Sequence, residues 1–230
     1  MTITIFLADD HAVVRGGIKA LLSAEADFEV IGESDDGLDT VQSVTKTNPN
    51  ILIVDLMLNG ISGIEVCRQV VKNSSRTGVI LLSMYGNDAH VQAALRAGAK
   101  GYLLKESTVD ELVSAVREVA NGRHVLSSEL SQRAIESYIR ENENDNTDEP
   151  YEQLSTRERE ILHLVVRDHT GADIAKKLFI SPRTVEAHRA NLMRKLGLKG
   201  RGQLIRFCLQ KGIIPPDTDL LSVPANDTED

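Results

Sequence analysis

The sequence predicts an α/β domain built on a doubly wound, five-stranded parallel sheet, followed by a small all-α domain. Over the first half of the chain, short apolar runs alternate five times with amphipathic helical segments, which is the pattern of a parallel sheet with crossover helices. After a polar, acidic stretch at residues 141–150, only helical patterns follow. A chain of 230 residues is long enough for two domains with separate cores.

The first domain is predicted around its central strand, residues 51–55. Four consecutive apolar side chains followed by an acid indicate a strand that is covered on both faces and ends in a carboxylate. Strands are predicted at 3–8, 28–31, 51–55, 79–82 and 102–104. Helices are predicted at 12–23, 37–48, 64–71, 89–97 and 108–121. Pro49 stops the second helix, and Thr108 with Glu111 forms a capping box at the start of the fifth.

Polar side chains stand at the ends of four of the predicted strands: Asp9, Asp10, Asp55, Ser83 and Lys105. Ligands of open parallel sheets bind outside the carboxyl ends of the strands. Three carboxylates there would repel each other unless a hard cation lay between them, and oxygen ligands suit Mg²⁺. A serine or lysine at one strand end is ordinary loop chemistry. All five together favour phosphoryl transfer, with Asp55 as nucleophile, Asp9 and Asp10 on the metal, and Ser83 and Lys105 on the phosphoryl oxygens.

The second domain is predicted to contain a helix-turn-helix. Ser155 and Glu158 form a capping box for a first helix. A short helix at 172–178, a tight turn and a longer helix at 182–196 with a polar outer face follow, and a last helix covers 202–212. A small helical bundle that binds another protein is the alternative.

Two further segments complete the predicted domain organisation of 1–123, 124–153, 154–212 and 213–230. Residues 124–153 are expected to hold a linker helix, up to about residue 138, and then an acidic flexible linker. Residues 213–230 form an acidic, proline-containing tail that is expected to be disordered.

Charge is distributed unevenly between the two domains. Residues 1–125 hold 11 Lys/Arg and 16 Asp/Glu, a balance of −5, whereas residues 154–212 hold 13 and 5, a balance of +8. A basic module on an acidic chain points to a polyanion, most simply DNA, although an ordinary solvated basic surface is the alternative. Two distant cysteines, Cys67 and Cys208, and the lack of a membrane-length apolar run favour a cytoplasmic protein without membrane contact.

Residues 1–123 resemble the receiver domain of bacterial two-component response regulators, which has a flavodoxin-like fold. The acidic pair, the acceptor aspartate, the hydroxyl and the lysine match the motif positions of that family, as does the stretch 95–105. The resemblance implies that Asp55 accepts a phosphoryl group from the phosphohistidine of a sensor histidine kinase. It also implies that Asp10, Asp55 and the backbone carbonyl of Met57 bind Mg²⁺.

The same resemblance assigns a conformational switch to Ser83 and Tyr102, although a plain strand-end aromatic is the alternative for Tyr102. The chain departs from the family pattern at two positions. Asn59 stands where the family commonly has proline, four residues after the acceptor. Glu106 replaces the proline that often follows the lysine, and a cis peptide bond there would be costly without proline.

Residues 154–196 resemble the LuxR-type DNA-binding domain, through the stretches 154–162 and 174–196. A receiver followed by this domain is typical of the NarL/FixJ group of response regulators. The resemblance implies a transcription regulator, not an enzyme, whose helix 182–196 enters the major groove as part of a homodimer. The residues expected to contact bases, phosphates or flanking groups are Arg183, Thr184, Glu186, Ala187, His188, Ala190, Asn191 and Lys195.

Some of these assignments have alternatives. Glu186 stands where many relatives have lysine, so it is a candidate acceptor for cytosine N4. His188 is either a contact residue or a half-buried structural histidine. Leu204, Phe207 and Cys208 on the last helix are either dimer contacts or core. For the whole chain, the alternatives are a receiver that acts without phosphorylation and an aspartyl-phosphate phosphohydrolase.

Overall fold

The computed structural model describes residues 2–74, 76–131, 150–151, 153–211 and 213–214. The chain divides into two compact units, Met1–Glu149 and Pro150–Asp230. The predicted linker helix beyond residue 131, the acidic linker up to residue 149 and the acidic tail from residue 215 lie outside the described residues. None of the helices within the described ranges combines the length and apolar character that crossing a membrane requires.

The first unit is built on a parallel sheet in the order β2-β1-β3-β4-β5-β6. Its strands are β1 (Ile3–Ala8), β2 (Phe28–Ser34), β3 (Ile51–Asp55), β4 (Gly78–Ser83), β5 (Gly101–Leu104) and β6 (Val125–Leu126). The five predicted strands and their parallel arrangement are confirmed. The sixth strand was not predicted, because two residues at the sheet edge leave no periodicity in the sequence. It pairs with β5 in the stretch that was expected to begin the linker.

Five helices cover the two faces of this sheet. They are α1 (Ala12–Ser23), α2 (Gly37–Thr47), α3 (Gly63–Asn73), α4 (Asp88–Arg96) and α5 (Val109–Ala120). Side chains of α1 and α5, such as Leu22 and Val116, pack in one core. Side chains of α2, α3 and α4, such as Val44, Val66 and Val91, pack in the other. The two cores make the sheet doubly wound, as predicted.

The loop from β3 to α3 is held tightly against the end of β3. The Gly63 amide donates a hydrogen bond to the Leu56 carbonyl at 2.9 Å, and the Ser62 side chain caps α3 by accepting from the Glu65 amide. A Cβ atom on Gly63 would lie 2.2 Å from the Asp55 carbonyl oxygen. Only glycine therefore allows the start of α3 to lie this close to the end of β3. This close contact helps to position the backbone of Asp55.

The second unit is entirely helical in its described part. Its helices are α6 (Thr156–Val166), α7 (Gly171–Leu178), α8 (Pro182–Leu196) and α9 (Arg201–Gln210). Both Ser155 and Thr170 form complete capping boxes, and Ser181 caps α8 with proline in its first turn. The predicted helix-turn-helix, α7 to α8, is confirmed. A small core that includes Ile161, Ile174, Val185, Leu192 and Leu204 holds the four helices together.

Candidate functional site

The strand order brings the predicted acidic residues to one edge of the sheet. β1 lies beside β3, so Asp9 and Asp55 come together after the ends of neighbouring strands. Their side chains are only 1% and 3% exposed. Lys105 follows β5, and its Nζ donates hydrogen bonds to Asp9 Oδ2 and to Asp55 Oδ2, both at 2.8 Å. A partly buried ammonium thus joins two buried carboxylates, which offsets the repulsion between them.

Burial and charge act in opposite directions on these groups. Burial raises the pKa of Asp55, while the hydrogen bond from Lys105 and one from the Met57 backbone amide oppose this. Burial tends to lower the pKa of Lys105, but its hydrogen bonds to Asp55 and Asp9 outweigh burial and raise it. Lys105 therefore stays a cation beside Asp55, where it can meet additional negative charge.

Asp10 and His11 complete a cluster that can hold a divalent cation. Ligand atoms of Asp9, Asp10, His11 and Asp55 all lie within 4.8 Å of one another. Asp10 Oδ1 lies 2.8 Å from His11 Nδ1, and the His11 backbone amide donates to Asp9 Oδ1 at 2.8 Å. A set dominated by carboxylate oxygens fits Mg²⁺. Sequence reasoning missed His11, although its place directly after the acidic pair was the available signal.

Ser83 and Tyr102 are linked through Tyr85, another residue that sequence reasoning missed. Ser83 Oγ accepts a hydrogen bond from the Tyr85 backbone amide at 2.9 Å. The Tyr102 hydroxyl donates to the Tyr85 carbonyl at 2.6 Å. Burial raises the pKa of Tyr102 to about 12, so its hydroxyl stays protonated and able to donate. The two predicted switch residues therefore hold the same loop after β4 from two directions.

The loop after Lys105 is held without a proline or a cis peptide bond. The Lys105–Glu106 peptide bond is trans. The Lys105 amide donates to the Ser83 carbonyl at 2.7 Å, and Ser107 donates to Leu104 at 2.9 Å. The lysine is thus fixed at the sheet edge by backbone hydrogen bonds.

The helix α8 carries all the residues expected to contact DNA. Those with exposed side chains are Arg183, Glu186, Ala187, Ala190, Asn191 and Lys195. Thr184 and His188 are half-buried, and Thr184 Oγ1 lies 2.8 Å from Ser181 Oγ at the helix start. On α9, Leu204 and Cys208 are buried core residues, whereas Phe207 is half-buried.

Lys195 has a structural partner that the sequence did not indicate. Its Nζ donates to Glu158 Oε2 at 2.7 Å and to the Gln153 carbonyl at 3.2 Å. Glu158 is nearly fully buried and also accepts from the Ser155 backbone amide in the capping box. Burial tends to raise the pKa of Glu158, but the hydrogen bonds from Lys195 and Ser155 outweigh burial and lower it below its ordinary value of 4.5.

Replacing Lys195 with methionine should lower the free energy of unfolding at pH 7 by about 1–2 kcal/mol, because Glu158 loses a charged partner in a buried position. The lowered pKa of Glu158 means that this stabilisation exists above pH 4.5 and is lost as the pH falls through the folded-state pKa. Urea unfolding of Lys195→Met at pH 7 and pH 3.5 tests both statements. Arg194→Met, on the exposed side of the same turn, is the control and should leave stability nearly unchanged. If Lys195→Met is as stable as the wild type, the pairing with Glu158 does not stabilise the fold, and DNA contact is the remaining role of Lys195.

Comparisons with known proteins agree for both units. Residues 5–117 match the response regulator receiver domain. Residues 152–208 match the bacterial regulatory proteins of the LuxR family. Among curated proteins, the oxygen regulatory protein NreC of Staphylococcus carnosus (strain TM300) is 37% identical over 213 residues, which cover 91% of this chain and 98% of NreC.

Two solved structures extend the comparison. A LuxR-family two-component response regulator from Aurantimonas sp. SI85-9A1 is 31% identical with a TM-score of 0.58, covering 60% of this chain and 99% of that one. The two-component response regulator RcsB, in a complex with DNA, is 26% identical with a TM-score of 0.56, covering 92% and 99%. The buried acidic edge with its lysine, the helix-turn-helix and these matches lead to one conclusion: the chain belongs to the response regulators that join a receiver domain to a LuxR-type DNA-binding domain.

Proposed function

We propose that this response regulator controls transcription through phosphorylation of Asp55 by a sensor histidine kinase and binds DNA through α8 as a homodimer. The observation that carries the proposal is the position of Lys105 Nζ, 2.8 Å from both Asp9 and Asp55, with Asp10 in the same cluster. The group contains a nucleophile, a cation for the incoming charge and oxygen ligands for a metal. A phosphorylation-independent receiver has no need of all three.

Phosphoryl transfer follows from this arrangement. An Asp55 carboxylate oxygen attacks the phosphorus of the phosphohistidine, and the P–N bond breaks with its electron pair passing to the imidazole. Lys105 then donates to the phosphoryl oxygens, and Ser83 meets another of them. Mg²⁺ held by Asp9, Asp10, Asp55 and the Met57 carbonyl would neutralise charge on the transferred group.

The switch acts through the Tyr85 loop. An acyl phosphate carries about −1.5 to −2 charges in place of the single negative charge of the Asp55 carboxylate, and it places them further out, next to Ser83. Turning Ser83 toward that group removes its oxygen from the Tyr85 amide, and Tyr102, bound to the Tyr85 carbonyl, follows the loop. Moving such an equilibrium from 1:99 to 99:1 needs about 5.5 kcal/mol of differential stabilisation, to which phosphorylation, metal and dimerisation each contribute.

An apolar surface beside Asp55 suits a protein partner. An apolar groove of 120 Å³ runs between α1 and α5 and includes Leu104 and Lys105 in its lining. Val13, Leu21 and Val109 on these helices are 89%, 40% and 44% exposed. A phosphohistidine can reach Asp55 only if its protein covers surface next to this edge, and exposed apolar side chains favour a helical partner there. We assign this groove to the histidine kinase.

The DNA-binding part of the proposal is supported by the charge of residues 154–212 and by the relatives. Residues 154–212 carry a balance of +8. The exposed face of α8 supplies Arg183, Asn191 and the small residues Ala187 and Ala190, which allow close approach to base edges. The related RcsB is known in a complex with DNA. A protein that binds chromosomal DNA is expected to work in the cytoplasm.

Phosphorylation should raise DNA affinity, and this is the experiment that tests the proposal. Full-length protein, with and without acetyl phosphate and Mg²⁺, is titrated onto duplexes selected from a random library, and fluorescence anisotropy measures Kd. We expect phosphorylation to tighten binding by about tenfold or more, and we expect log Kd to depend steeply on log salt, because the basic unit neutralises phosphates. Asp55→Asn with phosphodonor is the control and should behave like unphosphorylated protein. Equal affinities with and without phosphorylation would favour a receiver that acts without it.

A further inference from the structure

The turn between α7 and α8 exposes a phenylalanine. Phe179 is 89% exposed, and it is the only exposed aromatic side chain in the described part of the chain. It ends α7 and lies two residues before Ser181, the cap of α8. A large apolar side chain in this position contributes almost nothing to the core of its own unit.

The backbone of Phe179 is also unfavourable for a bulky residue. Its φ is 53° and its ψ 44°, in the left-handed region. The Ile180 amide donates to the Ala175 carbonyl at 3.0 Å, which forms the helix-ending turn whose left-handed position is usually glycine. A side chain at this position is strained relative to glycine. Phe179 therefore costs folding stability, and its exposed ring recovers little of that cost within the unit.

Three cationic residues lie close to Phe179 in the sequence. Lys176 and Lys177 lie in the last turn of α7, and Arg183 lies in the first turn of α8. All three side chains are exposed, and none of them forms an ion pair with another described residue. Three exposed positive charges close in sequence to one exposed ring match a polyanion with apolar surface between its phosphates.

We propose that Phe179 is a DNA contact that packs against deoxyribose carbons at the edge of the major groove entered by α8. Lys176, Lys177 and Arg183 contact the flanking phosphates. A helix-turn-helix presents the first residues of its second helix to the base edges, so the turn directly before that helix comes next to the DNA backbone. This inference rests on the proposed function, because it uses α8 as the DNA-binding helix. It adds a DNA contact outside that helix, at a residue whose strained backbone is retained because its side chain serves binding.

Three substitutions separate the ring from the turn conformation. Phe179→Gly removes the ring and the strain, Phe179→Asn removes the ring with a side chain that tolerates left-handed backbone, and Phe179→Tyr keeps the ring. Phosphorylated full-length proteins are titrated at one salt concentration onto a duplex that the wild type has selected from a random library. We expect the Gly and Asn variants to bind DNA about tenfold more weakly, because they lose the phenyl ring that is mostly buried against the DNA in the complex. The Tyr variant should bind with nearly wild-type affinity.

Thermal unfolding measured on the same samples supplies the second readout. The Gly variant should unfold at the same or a higher temperature than the wild type, because its backbone strain is gone. Unchanged DNA affinity in the Gly and Asn variants overturns the proposal. If these two variants bind DNA normally but no longer support transcription in a purified system, the proposal is also overturned, and the Phe179 ring contacts a protein of the transcription machinery instead. A loss in the Gly variant alone overturns it in favour of turn flexibility. A wild type that selects no duplex refutes the proposed function itself, together with this contact.

Discussion

Replacing Asp55 with asparagine should abolish the phosphoryl adduct that the wild-type protein acquires from a small phosphodonor in the presence of Mg²⁺. The amide retains the shape of the carboxylate but is not a nucleophile, so no acyl phosphate can form. Intact mass spectrometry after incubation with acetyl phosphate measures the adduct directly. We expect a single phosphoryl group on the wild type, none on Asp55→Asn, and none on the wild type when a chelator removes Mg²⁺.

Two further variants make this test specific. Asp88→Asn changes an exposed aspartate in the first turn of α4 and should leave the adduct intact. Lys105→Met keeps the nucleophile but removes the cation that lies 2.8 Å from Asp55, so its adduct should form more slowly. A wild-type adduct that persists in Asp55→Asn would place the acceptor elsewhere. Multiple turnovers of phosphodonor per chain would support a phosphohydrolase in place of a regulator.

Replacing Gly63 with alanine should destabilise the receiver and impair the acceptor site together. The added Cβ would lie 2.2 Å from the Asp55 carbonyl oxygen, so the backbone of β3 or α3 must shift. We expect a loss of about 1–3 kcal/mol in the free energy of unfolding, as for other overpacked sites. Because the shift falls on Asp55, the proposed nucleophile, the phosphoryl adduct should also form more slowly. Urea unfolding and the intact-mass assay measure the two effects.

Gly17→Ala is the matched control for Gly63→Ala. Gly17 lies inside α1, where an added Cβ meets no heavy atom within 4 Å. Alanine is the better helix former there, so this variant should gain about 0.5–1 kcal/mol and form its adduct normally. If the same substitution lowers the free energy of unfolding at Gly63 and raises it at Gly17, the effect at Gly63 comes from its close approach to Asp55. Equal stabilities of the two variants would contradict the described β3–α3 loop.

Local patterns in the chain were sufficient to predict most of the architecture. Buried strands appear as apolar runs such as 51–54, and helix starts as side-chain caps such as Thr108 and Ser155. In a parallel sheet, residues that follow successive strands share one edge whatever the exact packing. The sequence therefore predicted that Asp9, Asp55 and Lys105 lie close together. The short helix, tight turn and longer helix predicted the helix-turn-helix, and the matching motifs of the family agreed with it.

Only the tertiary structure determined how individual side chains are partnered. The two-residue strand β6 depends on the exposed edge of β5 and has no pattern of its own. The close approach of Gly63 to Asp55, the pairing of Lys195 with Glu158 and the sharing of Tyr85 by Ser83 and Tyr102 join groups through their three-dimensional positions. The sequence by itself determined the fold and the edge at which the strand-end residues lie, because these follow from periodicity and residue type. It indicated the family through motifs that resemble those of known response regulators. Contacts across the structure depend on distances that no periodicity encodes.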